Sequence, residues 1–169
     1  MATINDYKSG NVVRNVKLTV FFLKFVEFPI IGPFVGGKLL EKTKSFEPRI
    51  INMDQATDII LKSDKCAVGE RVCRVLNENS EFTESVFLNS LAEGMIDAGK
   101  AQPVEKEAAI STLKKYPKNP LILSKVSGKY SEICRSAPQY LCLLQIRTIP
   151  YEMFKSIYTL NFNKDLEFP

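Results

Sequence analysis

The chain contains no histidine, and that absence removes the commonest general base and the commonest metal ligand together. A Ser–His or Cys–His nucleophilic site built within one chain is excluded, and so are the zinc sites that rely on imidazole. A long apolar run is also missing. The most apolar stretch, residues 18–34, is interrupted by Lys24, Glu27, Pro29, Gly32 and Pro33, which keeps it short of the ~20 apolar residues that a membrane span needs. The first residues lack the basic, apolar and small-residue segments of a secretory signal, so the expected location is the cytoplasm, where thiols stay reduced.

Charge is not concentrated either. The 23 basic and 19 acidic residues, net +4, are interspersed, whereas a nucleic-acid binder generally shows a basic stripe with stacking aromatics. The densest groups, Lys38 with Lys42 and Lys44, and Lys114 with Lys115, fall at predicted helix ends, where cations complement the dipole. Neither nucleic acid nor a membrane span is an expected partner. The glycines of residues 32–37 lack the Gly-Lys-Ser/Thr ending of a phosphate loop and read as a bend. Glu78, Glu81 and Glu84 read as an acidic turn before a helix. No repeat or low-complexity tract appears.

What is present is ordinary globular usage: 169 residues, 45% hydrophobic and 25% charged, enough for one core without metal or disulfide staples. Residues 1–10 read as a flexible lead-in or cap. Val12, Val16, Val20 and Leu23 recur at helical spacing and predict a helix over 11–28, with Arg14, Lys17 and Lys24 on its wetter side. A short helix is expected over 38–44, and a short strand over 49–53. Asn52 or Asp54 caps a helix over 55–63. Residues 64–70 read as a loop, and 72–76 as strand or helix. The stripe Val86, Phe87, Leu91, Met95 and Ile96 predicts a helix over 83–98 that ends at Gly99. Pro103 suits the first turn of a helix reaching Tyr116, with Ala108, Ala109, Ile110 and Leu113 inward. Strands over 120–126 and 130–134 flank a Ser127-Gly128 turn, and a last helix is placed over 151–158.

The expected fold is therefore a single α+β domain, predominantly α-helical, with a small helix-helix-hairpin unit of winged type. Its parts are a lead-in (1–10), an N-terminal helical hairpin (11–48), a cysteine-containing core (49–146) and a C-terminal helix and tail (147–169).

Four cysteines, Cys66, Cys73, Cys134 and Cys142, are the remaining chemistry-bearing set. Their spacings form no Cys-x-x-Cys knuckle. Both pairs fall in stretches that read as loops at helix borders, where thiolates could converge, and Arg71, Arg74 and Arg135 lie beside them in sequence, cations that favour the thiolate. Against this stands the plain reading of cysteine as core filler, strongest for Cys142 within the run 141–144. A tetrathiolate zinc site and disulfides are further alternatives.

The segment 50–74, through Ala56, Ile59, Ile60, Ser63, Asp64, Val68 and Val72-Cys73-Arg74, resembles the cysteine-loop region of ferredoxin-type 4Fe–4S binding proteins of anaerobes and archaea. The likeness extends loosely over about half of the chain. It implies Cys73, with Cys134 and Cys142, as candidate ligands of an iron–sulfur cluster, 4Fe–4S in type. Only Cys73 stands on a cysteine of the pattern; Arg71 replaces its neighbour, and Cys66 would serve by a local substitution. It fits equally a relative that kept the scaffold and lost the cluster. The expected function is electron transfer or redox support through Cys66, Cys73, Cys134 and Cys142, with a protein redox partner or complex subunits. The alternative is a cluster-free interaction or scaffold subunit.

Overall fold

The computed structural model describes residues 2–23, 47–70 and 83–135. Its elements, in chain order, are α1 (Ile4–Ser9), α2 (Asn11–Leu23), β1 (Arg49–Ile51), α3 (Met53–Lys62), β2 (Cys66–Glu70), β3 (Glu84–Leu88), α4 (Asn89–Asp97), β4 (Ala101–Pro103), α5 (Lys106–Lys114), β5 (Leu121–Val126) and β6 (Lys129–Arg135).

Local chemistry sets most boundaries. Thr3 and Asp6 form a capping box: Thr3 Oγ1 accepts from the Asp6 amide at 3.2 Å, and Asp6 Oδ2 accepts from the Thr3 amide at 2.9 Å. Two of the orphan donors at the start of α1 are thus satisfied. Gly10, at φ 78°, closes α1 in the left-handed region that glycine adopts without a Cβ penalty. Asn52 and Gln55 repeat the box at α3 with bonds of 2.8 and 2.9 Å. Asn89, at φ 52°, turns β3 directly into α4, and its Oδ1 accepts from the Asp64 amide at 2.8 Å. Between β5 and β6, Ser127 and Gly128 both have positive φ, 51° and 80°. That pair of values makes the two-residue turn whose twist matches an antiparallel hairpin.

Among the described residues the strands form one six-stranded sheet in the order β1-β5-β6-β3-β2-β4, antiparallel at every pairing. Both edge strands are only three residues long, which limits the exposed ladder available for unwanted pairing. Side chains alternate across a sheet, and helices cover both faces. On one face Ala56 and Ile60 of α3 and Ala109 and Leu113 of α5 bury Cys66, Val86, Leu88, Leu121, Leu123 and Ile133. On the other, Tyr7 of α1, Val12 of α2 and Leu91, Ala92 and Met95 of α4 close over Ala67, Phe87 and Ala101. No helix among the described residues is long and apolar enough to cross a membrane.

This corrects the expectation of a predominantly helical fold with a winged unit. The hairpin of β5 and β6 is not a wing; it lies in the middle of the sheet, with β6 against β3. Residues 64–70 include a strand and not only a loop. The predicted helix over 83–98 is a strand followed by a helix, because Ser85, Val86, Phe87 and Leu88 are buried on both faces of the sheet. Such a strand loses its period-2 signature, and the run joins the real helical stripe that follows. Pro103 ends β4 instead of opening a helix, which begins at Lys106. The lead-in contains α1. The expected strand at 49–53 and the helix at 55–63 are present as β1 and α3, and Gly99 terminates α4 at φ 67°. The helices placed over 38–44 and 151–158, the end of the first helix beyond Leu23, and residues 72–76 lie outside the described residues.

Candidate functional site

The cysteine set is the natural first test. Cys66 opens β2 opposite Leu88, and Val86 of β3 stands opposite both Val68 and Ile133. Residues opposed in an antiparallel pair share a face, so Cys66 lies on the face covered by α3 and α5. Cys134 follows Ile133 on β6 and stands opposite Ser85 and Ile122, so it lies on the other face. Both thiols are buried, at 6% and 4% exposure. Cys66 Sγ sits 3.2 Å from Ser63 Oγ, among apolar side chains of the core. The sheet therefore does not bring Cys66 and Cys134 together. Cys73 and Cys142 lie outside the described residues, as do Arg71 and Arg74. Arg135, adjacent to Cys134 in sequence, projects to the opposite face by the same alternation. Among the described residues no group of three or more cysteine or carboxylate side chains could hold a metal ion.

A different constellation gathers at one end of the α3/α5 face. Ile51, Leu121 and Arg135 form one cross-strand row, Ile51 opposite Leu121 and Leu121 opposite Arg135. Beside this row open the start of α3, at Asn52 and Met53, the end of α5 at Lys114, and the turn that follows it, with Pro117, Lys118, Asn119 and Pro120. Together they enclose a cleft of about 540 Å³. Pro117 and Pro120 stiffen the turn by restricting φ, and the Asn119 amide donates to the Tyr116 carbonyl at 3.2 Å.

Arg135 is the structural key to the cleft. Its Nε donates to the Leu113 carbonyl at 2.7 Å, its Nη1 donates to the Asn119 carbonyl, and its Nη2 approaches Met53 Sδ at 3.7 Å. One side chain thus ties the C-terminal turn of α5, where a cation complements the dipole, to the loop and to the head of α3. Burial lowers its pKa from the ordinary arginine value, yet guanidinium remains a cation. Lys114 and Lys118 are exposed at the rim. Lys115, by contrast, turns away to pair with Glu84 of β3 at 2.5 Å. Glu84 is therefore a strand residue with a cationic partner, and Glu78 and Glu81 of the expected acidic turn lie outside the described residues.

The described lining of the cleft carries three cations and no carboxylate. Asp54, in the first turn of α3, offsets part of the positive end of that helix without lining the cleft. In sequence, Lys114 looked like a helix-end residue and Arg135 like a neighbour of Cys134. Only the row Ile51, Leu121 and Arg135 brings residues 84 positions apart to one wall.

No protein-family model, no curated protein and no solved structure matches the chain.

Proposed function

We propose that the chain is a cluster-free binding module that serves as an interaction subunit of a larger assembly, with the basic cleft between α3, α5 and β6 as its binding surface. The observation that carries this reading is the division of Cys66 and Cys134 between the two faces of the sheet. An iron–sulfur role calls for thiolates around one cluster, and a sheet stands between these two. At most one of them could join Cys73 and Cys142 at any one cluster. The cleft supports binding in their place: it combines apolar walls, at Ile51, Met53 and Leu121, with a few charged groups, the usual make-up of a ligand site.

Purification without oxygen, followed by iron and sulfide analysis and a visible spectrum, tests the reading. Colourless, iron-free protein is the expected result, unchanged in separate Cys66→Ser and Cys134→Ser variants. Stoichiometric iron and sulfide with broad visible absorbance, lost on substitution of the cysteines, would overturn it.

A further inference from the structure

We propose that the cleft binds a phosphomonoester on a small organic molecule, the phosphate held by Lys114, Lys118 and Arg135 and the apolar body resting on Ile51, Met53 and Leu121. The inference deepens the binding-module reading and rests on it. Three side-chain cations line one concave site whose described lining holds no carboxylate. A single carboxylate ligand would offset only one of the two rim lysines, Lys114 and Lys118, whereas a phosphomonoester carries about −1.5 to −2 charge near neutral pH and three acceptor oxygens. Among the described residues Lys114 and Lys118 are committed to no ion pair, in contrast to Lys115, Lys62, Lys65 and Lys125. Arg135 is pre-positioned by two backbone carbonyls, so its planar donor fork is ordered before a ligand arrives.

The shape also argues against a phosphodiester chain. Nucleic-acid sites track a backbone with a run of cations and stack bases on aromatic rings. Here the cations line a single cleft, and no aromatic side chain is in its described lining.

Calorimetric titration of the full chain with phenyl phosphate, inorganic phosphate and benzoate tests the proposal. Phenyl phosphate is expected to bind about 10-fold or more tightly than either fragment, because only it offers both the charge and the ring. Its affinity should fall as pH drops below about 6, where the dianion is lost. A Lys114→Ala/Lys118→Ala double variant, both positions being exposed, should keep the wild-type circular dichroism and lose about 10-fold or more in affinity, while Lys17→Ala on α2 changes nothing. Equal binding of benzoate, no binding of phenyl phosphate, or binding indifferent to the double variant would overturn it. Iron analysis of the same preparation separates the two claims, since a bound cluster defeats the binding-module reading and the titration alone decides the ligand.

Discussion

Tyr7 Oη donates a 2.6 Å hydrogen bond to Glu132 Oε2 in the interior, across 125 positions of sequence, while Ser85 Oγ donates to the other carboxyl oxygen at 3.1 Å. The Tyr7 ring also meets Phe87 edge-on, at 6.5 Å between centroids and 80° between planes. The short helix α1 is thereby fastened to the centre of the sheet. A backbone bond from the Ser127 amide to the Ala2 carbonyl at 2.9 Å and a bond from Lys100 Nζ to the Tyr7 carbonyl at 2.9 Å hold its two ends. Tyr7→Phe keeps the ring and removes one donor from a buried carboxyl. With Ser85 still donating to Glu132, the expected loss is that of one hydrogen bond, about 1–2 kcal/mol in urea unfolding; an unchanged midpoint would show that the hydroxyl adds nothing.

Glycine at 69 is required by close approach. A Cβ there would lie 2.4 Å from the Lys100 carbonyl oxygen and 2.8 Å from Ala101 Cβ, where β4 packs along β2. Gly69→Ala must push backbone aside and is expected to lose about 1–3 kcal/mol. At Gly94 the nearest atom, at 2.6 Å, is the Cγ2 of Ile4, a side chain able to shift, and alanine is the better helix former by about 1 kcal/mol. Gly94→Ala should therefore cost clearly less than Gly69→Ala when the two are melted side by side, and the reverse order would refute the argument.

Stability should respond to pH from both ends through one cluster. Lys125 pairs with Glu47 at 2.5 Å, and Arg49 and Lys125 stand 4.8 and 4.9 Å from the centre of the Tyr130 ring. The hydrogen bond from Lys125 holds the Glu47 carboxyl below its ordinary 4.5. Its contribution is present above that value and is lost as pH falls through the lower folded value. Because Glu47 is 46% exposed, solvent screening limits the contribution to less than about 1 kcal/mol. Burial raises the Tyr130 phenol above its ordinary 10.0. That contribution is present below pH 10.0 and is lost as pH rises through the folded value. Urea midpoints measured across pH should fall at both extremes, with Glu47→Gln flattening the acid side and, because Glu47 also helps to raise Tyr130, easing the alkaline fall.

Cys66 and Cys134, at 6% and 4% exposure, should resist alkylation until the protein unfolds, since a buried thiol is out of the reagent's reach. Mass mapping after iodoacetamide treatment, with and without urea, measures this directly. Rapid labelling of either in native buffer would place it elsewhere than in the core.

Legibility followed the range of the interaction. The cap of α3, the Ser127-Gly128 turn between two strands, and Gly99 ending α4 are decided within a few residues; the turn and Gly99 could be read directly, and the cap was narrowed to Asn52 or Asp54, of which the structure uses Asn52. The stretch from Glu84 could not. Its continuous apolar residues suit a strand covered on both faces as well as a helix, and the covering helices come from residues far away in the chain. The candidate site failed to show for the same reason. Lys114, Lys118 and Arg135 share no motif, and Arg135 stood next to a cysteine that attracted the functional reading.

Residue chemistry alone determined where helices are capped, where the central hairpin turns, and that these 169 residues supply no imidazole, because caps, turns and composition depend on the chain's own neighbours. Tertiary structure decided the sheet order, the opposite faces assigned to Cys66 and Cys134, and the meeting of three cations at one cleft. Strand register fixes which face each side chain takes, and a shift of one residue reverses it, so no inspection of spacing along the chain could supply the answer.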